Sequence, residues 1–128
     1  MIDSVEPVSK EAEEKLIACC CVDGTSEVYD SLKNISEDDF YFYKHKLLFQ
    51  AISNLSQGST PIDNVSIVEY VKSIDCLDEV DGAVGICEIM SKAETSTQSK
   101  YYANIVREKS NLRKLRRTFI TAAEDASN

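Results

Sequence analysis

Hydrophobic residues recur at intervals of three and four along most of the chain, and no segment alternates apolar and polar residues as a half-buried strand does. This pattern predicts an all-α fold. Ser9 is placed to cap a first helix, whose early acidic residues suit the positive end of the helix dipole. The turn residues Asp23 and Gly24 end this helix, and a short second helix follows over residues 26–32. The predicted buried face of the first helix comprises Ala12, Leu16, Cys19 and Cys20.

The middle of the chain predicts short helices separated by turns. Residues 36–39 have the composition of a capped single turn, and the four aromatic residues 40–43 that follow should divide between core and surface. Helices are predicted over residues 44–56, from a cap at Asp63 to residue 73, and after Gly82. Their predicted inward residues are His45, Leu48, Phe49, Ile52 and Leu55, then Val65, Val68 and Val71, then Ile86, Ile89 and Met90.

The most regular pattern lies at the C-terminal end, where residues 96–126 contain neither Gly nor Pro. Apolar residues recur there as Tyr101, Ile105, Leu112, Leu115, Phe119 and Ala122. They predict one helix of about 30 residues, roughly 45 Å long. The fold class is therefore all-α, with a compact head of about five short helices (residues 1–96) and one long helix (residues 97–128). Because the head does not need so long a helix for its own closure, part of the apolar stripe should project and pack against another helix.

Composition places the chain among globular proteins of one domain. Apolar residues make up 43% and charged residues 28% of 128 residues, which argues against disorder. The longest apolar run is too short to cross a bilayer, and the acidic N-terminus is unlike a signal peptide, so we predict a cytoplasmic protein that does not contact membranes. The net charge of −8 is uneven. Residues 1–106 hold 8 Lys/Arg and 19 Asp/Glu, a balance of −11, whereas residues 107–128 hold 6 and 3, a balance of +3.

Candidate catalytic chemistry is sparse. None of the four glycines lies in a phosphate-binding loop that ends in Lys-Ser/Thr, so ATP hydrolysis is not expected in this chain. The single histidine, His45, is expected to be a structural residue with a hydrogen-bond partner rather than half of a catalytic dyad with Cys. The five cysteines form no C-x-x-C pair and are expected to be small buried hydrophobic residues. Acidic clusters at residues 38–39 and 78–81 are expected to be helix caps and solvated loops rather than cation sites, and no metal is expected.

The basic stretch near the C-terminus has two interpretations. Its members flank the apolar stripe over more than half of the helix circumference, which favours a packed helix with charged edges over direct nucleic-acid binding. An acidic body also repels a phosphate backbone, so little direct DNA binding is expected. If phosphate is contacted at all, the candidates are Arg113, Lys114 and Arg117. The full cluster comprises Arg107, Lys109, Arg113, Lys114, Arg116 and Arg117.

Five segments, in order, resemble motifs of the N-terminal domain of DnaB-family replicative DNA helicases. Residues 7–13 resemble the family's P-x-S-x-E-A-E start, residues 38–41 its D-F-Y element, and residues 45–52 its H-x-x-I-F-x-A-I segment. Residues 58–63 resemble the G-x-P-I-D turn, and residues 101–109 the Y-A-x-I-V-R-E stretch. The chain departs from the family at Gly85, where an aromatic residue is usual, which puts in doubt any partner contact made through that side chain.

This resemblance implies an assembly domain of a larger helicase. In the family, six such domains form a collar as a trimer of dimers above the motor ring and receive primase and helicase loaders, and the long helix is the first arm of a helical hairpin. ATP and Mg are then expected only in a motor domain that this chain lacks, and no cofactor is expected here. The alternatives are a free-standing regulator that imitates this domain and binds a cellular helicase, a small nucleic-acid-binding protein, and an enzyme. The candidate interface residues for oligomers or partners are Tyr101, Ile105, Leu112, Leu115, Phe119 and Asp63.

Overall fold

The computed structural model of the protein describes residues 6–22, 30–58, 60–92 and 98–127. Within these ranges we label five α-helices: α1 (Lys10–Val22), α2 (Tyr43–Ser56), α3 (Asn64–Ser73), α4 (Gly82–Met90) and α5 (Ser99–Ser127); residues 30–32 are also helical. Two 3-10 turns, Glu37–Asp39 and Asp78–Val80, lie between them. The described residues contain no strand, and the predicted all-α fold with a long C-terminal helix is confirmed.

Local sequence accounts for the helix starts. The Ala12 N–H donates to the Ser9 hydroxyl at 3.3 Å, and the Ser66 N–H donates to the Asp63 carboxylate at 2.8 Å, as the capping residues predict. The first helix ends at Val22, and of the predicted second helix only residues 30–32, which are helical, lie within the described part of the chain. The apolar residues expected on that helix are Val28, which lies outside the described residues, and Leu32, which is partly buried against the core.

The core of the head lies where α1 packs against α2, α4 and α5, with α3 resting on α2 and α4. Leu16, Phe40 and Leu48 have no solvent exposure, and Phe40 stacks at 5.0 Å from Phe49. Tyr41 and Tyr43 are 44% and 59% exposed, so the four aromatic residues divide between core and surface as predicted. The predicted inward residues of α2 and α4 are buried or partly buried.

One predicted helix face is wrong in part. Val65 is 71% exposed, whereas Ile67 and Val71 have no exposure and carry the buried face of α3. Ile67 lies two positions beyond Val65, roughly 200° around the helix, so the two residues cannot face the same side. The valine repeat is consistent with helical spacing, but the positions of α2 and α4 decide which face is covered.

The turn that precedes α4 explains the glycine at position 85. Asp81 and Gly82 have left-handed backbone angles, with φ of 63° and 71°, and bring the chain sharply into α4. A side chain on the buried Gly85 would collide with the Val80 carbonyl oxygen and the Asp81 side chain. The aromatic residue that is usual in the family at this position therefore has no space in this chain.

Candidate functional site

The most exposed apolar surface follows one side of α5. We call Tyr101, Ile105, Leu112, Leu115 and Phe119 the outer face. Tyr101 and Phe119 are 64% and 67% exposed, while Leu112 and Leu115 are 41% and 53% exposed. Ile105 is partly buried against the core. Large exposed side chains in one helical row are unusual on a monomeric surface and are typical of binding sites.

The opposite side of α5 packs against the head. We call its buried residues the inner face, and they repeat at four- and three-residue spacings as Ser99, Ala103, Val106, Ser110 and Arg113. Inner and outer faces are offset by two positions, roughly 200° around the helix, so they point in opposite directions. Three of the five inner residues are Ser or Ala, and such small side chains let helices approach closely. No described residue after Arg113 is buried, and we call residues 114–127 the projecting half of α5, although Lys114 and Arg116 at its start still lie 3.5 Å from Asp39 and Glu6.

Two shallow grooves run along the outer face. One has a volume of about 340 Å³ and is lined by residues that include Asn104, Leu112 and Leu115. The other has a volume of about 480 Å³ and is lined by Leu112, Leu115, Arg116, Phe119, Ile120 and Ala123. The second groove lies on the projecting half of α5, and its wall is almost entirely apolar. Its chemistry suits the side chains of another helix better than a polar small molecule.

A buried polar cluster fixes α5 to the head, and Arg113 is its centre. The Arg113 guanidinium donates to the Asp39 carbonyl oxygen at 2.7 Å and to the Pro7 carbonyl oxygen at 2.9 Å, and it lies 5.5 Å from the centre of the Tyr41 ring. The Ser110 hydroxyl donates to the Asp39 carboxylate at 2.8 Å. The turn of α5 that contains Ser110 and Arg113 is thereby bound to Pro7, which precedes α1, and to Asp39, which follows it.

Asp39 is the acidic partner in this cluster. Burial alone raises the pKa of its carboxyl group, but hydrogen bonds from the Ser36 N–H and the Ser110 hydroxyl, with the nearby Lys114 ammonium, outweigh burial and hold the pKa below its ordinary value. The Ser36 N–H donates to Asp39 at 2.8 Å, which also closes the 3-10 turn Glu37–Asp39. Asp39 therefore remains ionised at neutral pH.

The structure corrects the phosphate-contact prediction for Arg113. This residue is 4% exposed, and its two terminal nitrogens donate to backbone carbonyls, so its guanidinium is not presented to a phosphate. Lys114 is 55% exposed but lies 3.5 Å from the Asp39 carboxylate. Arg117 is exposed on the projecting half of α5. Of the three candidates, Lys114 and Arg117 still face solvent.

His45 has a hydrogen-bond partner, as predicted, and it is fully buried. Its Nδ1 lies 2.8 Å from the Glu13 carboxylate, which also accepts the Tyr41 N–H at 3.0 Å. The Nε2 atom has no partner among the described residues. The pair links α1 to the start of α2 and holds the backbone of the aromatic segment between them. It is enclosed by the core and offers no access to a substrate.

Only some of the five cysteines are buried in the core. Cys19 and Cys20 are buried, Cys21 and Cys76 are intermediate, and Cys87 is exposed, so the expectation of buried cysteines is wrong for Cys87. Burial raises the pKa of Cys20, and burial together with the charge of Asp63 raises the pKa of Cys21 to about 12. These thiols are uncharged at neutral pH and are poor nucleophiles.

Three further findings concern features that the sequence singled out. Asp63 caps α3 and is exposed at the surface, far along the chain from α5. Among the described residues, no three His, Cys, Asp or Glu side chains are grouped so that they would hold a metal ion. In the same ranges, no helix has the length and apolar composition needed to span a membrane.

Sequence reasoning identified the outer face but missed the inner one. Ser99, Ser110 and Arg113 are polar, and a search for hydrophobic residues passes over them. The available signal was the four- and three-residue spacing of these polar residues with Ala103 and Val106. That spacing indicates a buried face only once Asp39 is known to pack against it. The buried cluster is therefore a product of tertiary contact.

Known proteins are similar to this chain in sequence, and one solved structure is similar in fold. The family described as DnaB-like helicase N terminal domain matches residues 5–108. The replicative DNA helicase DnaC of Bacillus subtilis (strain 168) is 32% identical over 123 residues, which are 96% of this chain and 27% of that protein. The replicative DNA helicase DnaB of Haemophilus influenzae is 30% identical over 113 residues, which are 88% of this chain and 24% of that protein. The chain thus spans about a quarter of the length of the curated relatives it matches.

The fold also matches a solved structure. The crystal structure of the N-terminal domain of DnaB helicase from Mycobacterium tuberculosis is similar with a TM-score of 0.88 and 25% sequence identity. The match covers 94% of this chain and 85% of that one. The head and the long helix therefore occur together in both proteins.

Proposed function

The chain belongs to the family of DnaB-like helicase N-terminal domains, and from that membership we propose that it is a collar and assembly domain, which joins copies of itself and docks primase or a helicase loader during DNA replication. The larger protein is then an ATP-dependent replicative helicase, as the names of the relatives suggest. ATP and Mg would be used in a separate motor domain. This domain would set the arrangement of the copies in the ring and would not catalyse a reaction.

The observation that carries the proposal is the outer face of α5. Three large side chains, Leu112, Leu115 and Phe119, are 41%, 53% and 67% exposed in a single row. Each would gain on the order of 1 kcal/mol or more if covered by another helix. A surface of this kind supports a role in association between chains.

The buried cluster around Arg113 supports the same role. Because its hydrogen bonds join α5 to the segments before and after α1, the projecting half of α5 leaves the head at a fixed angle. An arm with a fixed direction is suited to a ring, in which every copy must meet its neighbour in the same geometry.

Sedimentation velocity tests the proposal. We expect the 128-residue chain to associate weakly at high protein concentration, and Phe119→Asp or Leu115→Asp to shift the equilibrium to monomer by placing a charge in the apolar contact. Thr121→Asp is the matched control, since Thr121 is exposed two positions beyond Phe119 and outside the outer face. Equal association of the Phe119 and Thr121 variants, with circular dichroism showing intact folding, would contradict assembly through α5.

Direct DNA binding is not part of the proposed role. The exposed charged residues of the described head are mostly acidic, and Arg113 is buried, so the cations available to a phosphate backbone lie mainly on α5. We expect affinity for a fluorescein-labelled single strand to be negligible near physiological salt. Tight binding whose logarithm falls steeply with the logarithm of salt concentration would favour the nucleic-acid-binding alternative instead.

A further inference from the structure

A cleft separate from the outer face lies between residues 30–34 of the head and the start of α5, and its volume is about 570 Å³. The Ser31 and Ser99 hydroxyls share a hydrogen bond at 2.9 Å, which joins the two walls of the cleft. Ala103 also lines the cleft and is 2% exposed. Because these three side chains are small, they leave open a space of the size that small-molecule sites have.

The α5 wall of the cleft carries two positive charges. Lys100, Asn104 and Arg107 line this wall, and at 100° per residue their directions fall within about 60° of one another. In the described part of the chain, no hydrogen bond or ion pair engages Lys100 or the Arg107 guanidinium, and the Arg107 Nε is buried without a partner. A half-buried cation without a counter-charge favours the binding of an anion.

The opposite wall of the cleft suits hydroxyl groups. Asp30, Ser31 and Asn34 line it and offer a carboxylate, a hydroxyl and an amide. Lys33 lies 3.0 Å from one oxygen of the Asp30 carboxylate, so the charge of Asp30 is partly balanced. Such groups both accept and donate hydrogen bonds, as the hydroxyls of a sugar require, and an acidic residue binds the ribose in many dinucleotide sites.

We propose that the cleft binds a phosphorylated sugar, alone or as part of a mononucleotide. The phosphate lies against Lys100 and Arg107, and the sugar hydroxyls lie against Asp30 and Asn34. A phosphate monoester carries a charge of about −1.5 to −2 at pH 7, which two unpaired cations match. This inference goes beyond the proposed assembly role and does not depend on it.

The shape and lining of the cleft disfavour other anions. A free phosphate ion is much smaller than the cleft and would not reach both of its walls. No aromatic side chain lines the cleft within the described ranges, so a base has no ring on which to stack. We therefore expect the sugar phosphate, rather than a base attached to it, to supply most of the affinity.

NMR titration of the whole 128-residue chain, labelled with 15N, tests the proposal. We expect ribose 5-phosphate and AMP to shift the amide resonances of residues 30–34 and 99–107, with a Kd of about 1 mM or below. Adenosine lacks the phosphate and should bind at least about tenfold more weakly than AMP. Equal affinity for ribose 5-phosphate and AMP supports recognition of a sugar phosphate, and tighter binding of AMP supports recognition of a nucleotide.

Matched variants locate the site. Arg107→Gln should weaken binding of ribose 5-phosphate about tenfold, whereas Arg117→Gln removes the same charge from an exposed position outside the cleft and should have little effect. Asn104→Asp places a carboxylate beside the two cations and should also weaken binding about tenfold. Asn111→Asp makes the same change two turns farther along α5 and is its control.

The remaining outcomes contradict the proposal. Inorganic phosphate that binds as tightly as ribose 5-phosphate overturns recognition of the sugar, and adenosine that binds as tightly as AMP overturns recognition of the phosphate. Unchanged affinity in Arg107→Gln, with an intact amide spectrum, overturns the assignment to the cleft. If that variant does not fold, the exposed Lys100 replaces it, and unchanged affinity in Lys100→Gln has the same meaning. The absence of shifts up to about 10 mM ribose 5-phosphate or AMP overturns the proposal and leaves assembly through α5 unaffected.

Discussion

The two halves of α5 belong to one continuous helix but differ in what they contact. In the first half, Ser99–Arg113, the inner face is buried by the head and bound by the Arg113 and Ser110 hydrogen bonds. In the second half, residues 114–127, no residue is buried, although Leu115 and Phe119 are as large and apolar as residues of the core. The covered side chains of the inner face are mostly small or polar, whereas Leu115 and Phe119 on the outer face are exposed.

This contrast shows that hydrophobic size alone does not identify the buried side of a helix. Close packing against α1 requires small residues, since large ones would hold the two helices apart. The large residues are consequently available for a separate surface. A stable attachment and an exposed apolar face can therefore occupy opposite sides of the same helix.

The largest expected effect comes from removing the attachment of the first half. Arg113→Ala leaves the Asp39 and Pro7 carbonyl oxygens without their buried donor and should lower the free energy of unfolding by about 2–4 kcal/mol. Urea denaturation followed by circular dichroism measures this change. A loss below about 0.5 kcal/mol would show that the cluster does not hold α5 to the head.

The second half supplies the controls for that measurement. Arg117→Ala removes the same side chain from an exposed position, and Phe119→Ala removes a large apolar residue that contacts no core. Each should change the free energy of unfolding of the monomer by no more than about 0.5 kcal/mol. A large decrease in the free energy of unfolding of either variant would show that the second half of α5 also stabilises the fold.

A smaller effect should follow from the ionisation of Asp39. Its pKa is lower in the folded chain than in the unfolded chain, so its contribution to stability is present above the unfolded pKa of about 4 and is lost as pH falls through the folded value. Asp39→Asn should cost about 1 kcal/mol at pH 6, and the difference from the wild type should narrow as the pH approaches 3. If the difference in the free energy of unfolding between Asp39→Asn and the wild type stays constant with pH, the charge of Asp39 does not contribute to stability.

Much of the head follows from short-range sequence signals. Ser9 and Asp63 cap the helices that their positions predict, and the glycines at 58 and 82 lie where helices end and begin. These features depend on residues within one turn of each other, so the local sequence contains the information needed. Prediction failed at Val65 and Arg113, where the exposed side of a helix depends on which neighbours pack against it.

By itself the sequence determined that the chain is helical, that a long helix follows a compact head, and that the long helix has an apolar row too extensive for that head. It also contained the motifs of the family. Only the tertiary structure decided that this row faces outward and that Arg113 is buried. The physical reason is that backbone periodicity is set by neighbouring residues, whereas the burial of a particular face is set by partners distant in the chain, such as Asp39, whose approach no local pattern encodes.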